Sequence, residues 1–187
     1  GYGRVFLPMH HGFMLTDLFG CDVNGIAVRY LKTACRPRTH LRATDYNPPL
    51  PFSNGAFDCV YSISIWTHLP VSMQIAWLEE IRRILKPGGL ALISTSGHRA
   101  LKSRHARADK DWSPISSDDL RREGIIYREY QWYAKQPDKF PGITSSYGQT
   151  AHCPLYIERE WSKVMPVLSV QETAIGVAQD LVVMRRE

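Results

Sequence analysis

The chain has 187 residues, 44% hydrophobic and 22% charged, with a formal net charge of +5 and a pI near 9.1. That size and balance fit one globular domain with a sizeable core and exclude a disordered chain. No apolar run reaches the roughly 20 residues of a membrane-spanning helix and no charged start precedes an apolar stretch as in a signal peptide, so a cytoplasmic location is expected.

The first residues, Gly1-Tyr2-Gly3-Arg4-Val5, read as the second half of a glycine-rich turn from strand to helix, so the sequence starts inside a motif. Arg4 to His11 follows as a helix, with Pro8 breaking its pattern. Leu15 to Cys21 reads as a strand ending at Asp22, and Gly25 to Ala34 as the next helix. Asp22 or Asn24 can cap that helix. A carboxylate just past a strand end, about twenty residues after a glycine turn, is also placed to accept hydrogen bonds from vicinal ribose hydroxyls. His40 to Thr44 is the next strand, directly followed by Asp45, which also suits turn initiation before Asn47-Pro48-Pro49.

The segment from Asp45 to Gly97 reads as one βαβ unit. Phe57 to Ile65, FDCVYSISI, is short, apolar or small, and rich in β-branched residues, as in a strand covered on both faces. Trp77, Leu78, Ile81, Ile84 and Leu85 recur at helical spacing, while Gln74, Glu79, Glu80, Arg82, Arg83 and Lys86 fill the other face. Pro87, Gly88 and Gly89 are expected to stop this helix, and Leu90 to Thr95 to form a second buried strand. Such a unit demands a right-handed crossover in a parallel sheet, with ligands at the carboxyl ends of the strands. That points to Ser62 to His68 and Thr95 to His98.

Further on, Ser116 to Asp119 signals a helix start and Gly124 its stop. Ile125 to Tyr133 is aromatic and alternating, expected as an extended segment paired near Ser145 to Thr150, with Pro137, Pro141 and Gly142 in the loop between. Pro154 to Val164 is a helix with proline in its first turn. Val167 to Thr173 and Asp180 to Met184 form a final pair of strands.

Asp45, Leu50-Pro51-Phe52, Phe57-Asp58, His68-Leu69 and Leu85 to Gly89 (LKPGG) occur in an order that resembles the class I S-adenosylmethionine-dependent methyltransferases, of the type 11-like group. The resemblance covers nearly the whole chain. It implies an α/β fold: a Rossmann-like, doubly wound, mostly parallel sheet ending in an antiparallel hairpin. The first central strand would be missing and the truncation would fall within the glycine-rich motif. It also implies a single domain over 1–187, with 98–151 as a lid on the acceptor side.

The cofactor implied is S-adenosyl-L-methionine. Gly1 and Gly3 would bring the backbone against it, since a Cβ would prevent the approach. Asp22, with Val23 beside it, would take the ribose. Asp45 would accept from the adenine amine, with Tyr46 against the ring. Ser62, Ile63 and Ser64 would line the methionine half, through backbone carbonyls reaching its ammonium. Trp66 is a pocket wall or plain core, and His68 is more in keeping with packing than with catalysis. For a base, position favours His152, with His98 next.

No metal is called for, because acidic and histidine residues lack the spacing of a dedicated site. A nicotinamide-dependent oxidoreductase is the rival enzyme, but its third glycine falls at Phe6. A non-catalytic binding domain is the rival from another class. The stretches TAHCPLYIEREW and QDLVVMRR resemble methyltransferases of bacterial glycan and cell-surface biosynthesis, so the expected acceptor is a small-molecule or glycan-borne hydroxyl or amine. Tyr127, Tyr130, Trp132 and Tyr133 would form its aromatic wall or merely cover the sheet. A nucleic-acid partner is disfavoured: the basic run His98 to Lys110 is interrupted by Asp109 and lacks interleaved aromatics. Cys21, Cys35, Cys59 and Cys153 have no ligand-like spacing and read as packed thiols.

Overall fold

The structure, a computed structural model, describes residues 1–12, 17–35, 39–106, 116–130, 146–176 and 178–187, with the backbone alone for 103–106. The chain divides into two compact units, the first from Gly1 to Pro51 and the second holding the described residues from Phe52 onward.

In the first unit, α1 (Phe6–Gly12), β1 (Leu18–Asp22), α2 (Gly25–Ala34) and β2 (Thr39–Ala43) follow the order read from the sequence. β1 and β2 pair in parallel, Leu18 opposite Thr39 and Asp22 opposite Ala43. α2 starts where Asn24 caps it, the side-chain oxygen accepting from the Ile26 and Ala27 amides at 3.0 and 3.1 Å. Its buried stripe is Ala27, Val28 and Leu31, at the spacing of one helical face. Gly3 has φ of +86°, and a Cβ there would lie 2.4 Å from Leu31 Cδ2. Only glycine combines that backbone with that contact. The packing of α2, in addition to any cofactor, therefore explains why this position is glycine.

The second unit is built on a four-stranded sheet in the order β3-β4-β8-β7. β3 (Phe57–Ser62) leads through a turn into α3 (Val71–Ile84), which returns to β4 (Leu85–Thr95). β3 and β4 are parallel, as the βαβ reading requires. β7 (Val167–Ile175) and β8 (Gln179–Arg185) are antiparallel, and β8 pairs antiparallel with β4, Leu90 opposite Arg185 and Thr95 opposite Asp180. The expected hairpin is therefore present, with the later strand inserted next to β4. Trp66, Leu78, Ile81, Leu85, Ile93, Ile157, Trp161 and Val182 form one buried cluster over this sheet.

Two details of this unit differ from expectation. The Leu85 to Gly89 stretch belongs to β4 instead of a loop after the helix. Pro87 has no N–H for a helical bond, and the Gly88 amide donates to Arg186 O at 2.7 Å while the Arg186 amide donates to Gly89 O at 2.9 Å. Nor do Gln74 and Glu80 lie on the polar face of α3: they are 1% and 6% exposed. Glu80 is buried because Arg83 grips both its oxygens, at 2.6 and 2.8 Å, and in turn donates to Phe52 O and Asn54 Oδ1.

Beyond β4, α4 (His98–Ala106) and α5 (Ser117–Glu123) precede a second pairing, β5 (Ile125–Glu129) with β6 (Gly148–His152), antiparallel with Ile125 opposite His152. α5 starts in a complete capping box of Ser116 and Asp119 and stops at Gly124, whose φ is +80°. β6 is buried along its whole length. Its amides at Thr150 and His152 donate to Thr67 O and Ser96 O at 2.9 and 2.8 Å, which ties it to the segments leaving β3 and β4. α6 (Pro154–Glu160) and a 3-10 turn over Trp161–Lys163 complete the unit.

Candidate functional site

In the first unit the candidate residues gather at the carboxyl edge of the β1–β2 pair. Asp22 ends β1, and the Thr44 amide just past β2 donates to its backbone carbonyl at 3.1 Å. Asp45 and Tyr46 follow immediately, Asp45 exposed and Tyr46 half-buried. The Asp22 carboxylate is 19% exposed; Oδ1 accepts from the Asn24 amide at 2.8 Å, and Oδ2 is ion-paired to the Gly1 amine. Asp22 thus shapes the strand-to-helix turn, while the capping of α2 is done by Asn24. Val23 is half-buried in that turn.

In the second unit Ser62 closes β3 opposite Ile93 of β4, and Ser62, Ile63 and Ser64 are half-buried. Trp66 is core: it is 1% exposed and its ring lies 4.8 Å from that of Trp161. His68 stacks on Tyr147, with ring centroids 4.7 Å apart, and its Nδ1–H donates to the Gly148 carbonyl at 2.8 Å. That is a packing and hydrogen-bonding residue, in line with the sequence reading. Tyr130 is buried beside the same pair. The Tyr127 hydroxyl donates to Ser146 O at 2.6 Å. Trp132, Tyr133 and the loop glycine and prolines lie outside the described residues.

The two candidate bases differ sharply. His98 begins α4, just past the end of β4, and is half-buried; desolvation, with Arg121 as the next contribution, holds its pKa below the ordinary imidazole value. His152 has no exposed surface. Its Nε2–H donates at 3.0 Å to Gln74 Oε1, and Gln74 Nε2 donates in turn to Leu69 O at 3.2 Å. Its Nδ1 has no partner among the described residues, and burial pushes its pKa down to about 3. Burying an ionisable imidazole without a counter-charge disfavours the cation, so the ring is neutral and fixed in one tautomer.

Gln74, the partner that orients His152, is a residue the sequence reading missed. The signal was its place one helical turn before Leu78 and two before Ile81, on the stripe that faces the sheet. The cysteines also depart from expectation: only Cys153 is buried, while Cys21 and Cys59 sit on exposed strand positions. Among the described residues no group of three or more His, Cys, Asp or Glu side chains is placed to hold a metal ion, and no helix is long and apolar enough to cross a membrane.

Two parallel strands with trailing carboxylates, a parallel βαβ unit and an inserted antiparallel last strand form a specific combination, and the comparisons with known proteins agree with it. The family described as a methyltransferase domain matches residues 1–89. Beyond that segment the likeness is one of fold, to solved S-adenosylmethionine-dependent methyltransferases. The chain's fold is the α/β, Rossmann-like one of those structures. A solved S-adenosylmethionine-dependent methyltransferase from Methanosarcina mazei matches the chain with a TM-score of 0.67 over 100% of this chain and 88% of that one, at 17% identity. The tRNA (carboxymethyluridine(34)-5-O)-methyltransferase alkbh8 of Xenopus tropicalis is 32% identical over 108 residues, 55% of this chain and 17% of its own length. The 2-methyl-6-phytyl-1,4-hydroquinone methyltransferase of Synechocystis is 28% identical over 99 residues, 46% of this chain and 28% of its own. The chain thus spans less than a third of either curated relative.

Proposed function

We propose that the protein transfers the sulfonium methyl group of S-adenosylmethionine to a hydroxyl or amine of a small molecule or glycan. The observation that carries the reading is the pair of carboxylates, Asp22 and Asp45, following neighbouring parallel strands at one sheet edge. In the first unit Asp22, with Val23 beside it, takes the ribose and Asp45 the adenine amine, with Gly1, Gly3 and Tyr46 completing that half. In the second, Ser62 and Ile63 serve the amino-acid half. An in-line displacement moves the methyl from sulfur to the acceptor oxygen or nitrogen, the sulfonium becomes a thioether, and the acceptor's proton leaves. The sulfonium is already activated, so the chain supplies alignment, exclusion of water and a base.

For the base His98 is the better suited of the two. It is partly exposed, and a lowered pKa keeps it neutral near pH 7, whereas His152 has neither access nor basicity. Calorimetric titration tests the core of the proposal: S-adenosylhomocysteine binds and NAD does not. Binding of NAD alone, or of neither ligand, rejects it. The likeness to the Xenopus tRNA methyltransferase, with the net charge of +5, favours an RNA-borne hydroxyl as the second reading. A radiolabelled-methyl assay over glycans, small phenols and amines, and tRNA separates the two.

A further inference from the structure

The segment that leaves β3 contains a backbone conformation that the fold does not supply for nothing. Ser64 has φ of +59°, in the left-handed region that a side chain with a Cβ enters only at a cost. Two contacts hold it there. Its amide donates at 2.7 Å to Oγ of Ser94, a residue of β4 with no exposed surface. Its hydroxyl accepts from Gln179 Nε2 at 2.9 Å and lies 3.2 Å from Gln179 Oε1, at the start of β8. Two strands of the sheet therefore reach over the end of a third and fix one residue of the following loop.

The consequence falls on the residue before it. The Ile63–Ser64 peptide is trans, and a trans peptide is planar with its carbonyl directed opposite its N–H. Tethering the Ser64 N–H to Ser94 thus directs the Ile63 carbonyl away from β4. A carbonyl held in this way is a pure acceptor, suited to a cationic donor such as a primary ammonium. We propose that Ser94 and Gln179 are positioning residues that clamp the Ile63–Ser64 peptide and aim the Ile63 carbonyl at the α-ammonium of the cofactor's amino-acid half. The inference rests on the methyltransferase reading above.

The test compares two ligands that differ in that half alone. S-adenosylhomocysteine carries the amino acid, and 5′-methylthioadenosine keeps the nucleoside and thioether without it. Each is titrated by calorimetry into the wild-type chain, Ser94→Ala, Ser94→Thr and Ser64→Gly, with thermal unfolding recorded in parallel. Ser94→Ala is expected to lose about tenfold in affinity for S-adenosylhomocysteine with methylthioadenosine unchanged, and Ser94→Thr, which keeps a hydroxyl there, to recover it. Ser64→Gly adopts the left-handed backbone freely, so it covers the case of a poorly folding Ser94→Ala. It is expected to keep or raise the unfolding midpoint while losing S-adenosylhomocysteine affinity. Equal losses for both ligands would reduce the clamp to ordinary packing, and unchanged affinities in Ser94→Ala and Ser64→Gly would also overturn it. A wild-type chain that binds neither ligand refutes the methyltransferase reading itself, and the clamp with it.

Discussion

Acid should unfold the second unit through His152. The ring is fully buried, its Nε2–H is committed to Gln74, and its Nδ1 is an acceptor with no partner among the described residues. In the unfolded chain the imidazole titrates near 6.5; in the folded protein burial depresses that to about 3. Between those values the unfolded state binds a proton that the folded state refuses. Stability therefore falls as pH drops below 6.5, by about 1.4 kcal/mol per pH unit, and the loss at pH 5 reaches about 2 kcal/mol. His152→Gln removes the titration while keeping an N–H for Gln74. Urea unfolding at pH 7.5 and pH 5, followed by tryptophan fluorescence, measures both proteins. The wild type should lose about 2 kcal/mol more than the variant over that interval. His98, whose pKa is lowered as well, remains in both chains and cancels. Equal losses in the two proteins would show that His152 is protonated in the fold, and would refute the assignment of a neutral, buried ring.

Asp22→Ala and Asp45→Ala should each weaken S-adenosylhomocysteine binding by about tenfold to a hundredfold, the cost of about 1.5 to 3 kcal/mol for a hydrogen bond to a charged group; unchanged calorimetric affinity in a folded Asp22→Ala would leave Asp22 as a turn residue only. Gly97→Ala places a Cβ 2.0 Å from Asp180 Oδ2, and because Asp180 is buried and tied to the Thr173 amide at 2.9 Å, overpacking of about 1 to 3 kcal/mol should lower the thermal midpoint. An unshifted midpoint would mean that Asp180 moves aside freely. Ser116→Ala should raise the Asp119 pKa from about 2 toward the ordinary carboxylate value, since the Ser116 hydroxyl is the largest contribution holding it down, ahead of the Ser116 amide and then Arg122. A carboxyl-carbon NMR titration reads this, and an unmoved pKa would assign the effect to the Ser116 amide and Arg122.

The elements were legible where one local signal dominated. Asn24, the Ser116 capping box and Gly124 mark helix ends by their own hydrogen bonds, and such signals need no knowledge of the rest of the chain. The alternating run after Gly124 was expected to pair near Ser145 to Thr150, and it does so over Ile125 to Glu129. What the sequence concealed depends on distant partners. The LKPGG stretch looks like a helix stop followed by a loop, and only Arg186, far along the chain, turns its peptides into the start of a strand. Gln74 looked like a solvent-facing polar residue because the donor that its side-chain oxygen accepts from, His152, is brought to it only by the fold. His152 was favoured as a base from its position alone. Position does not reveal that a five-residue strand with no exposed residue would enclose it.

The placement of β8 has a consequence for synthesis. Phe57 to Thr95 leaves the ribosome as a finished strand-helix-strand unit, yet one edge of β4 is filled only when Gln179 to Arg185 emerge. Until then a hydrophobic strand carrying Ala91, Ile93 and their unpaired peptide groups stands open to other chains. Closing it needs a contact between segments widely separated in sequence, the kind that slows folding. The nascent chain is therefore exposed to association throughout that interval, and Gln179 arrives with the same strand that ends it.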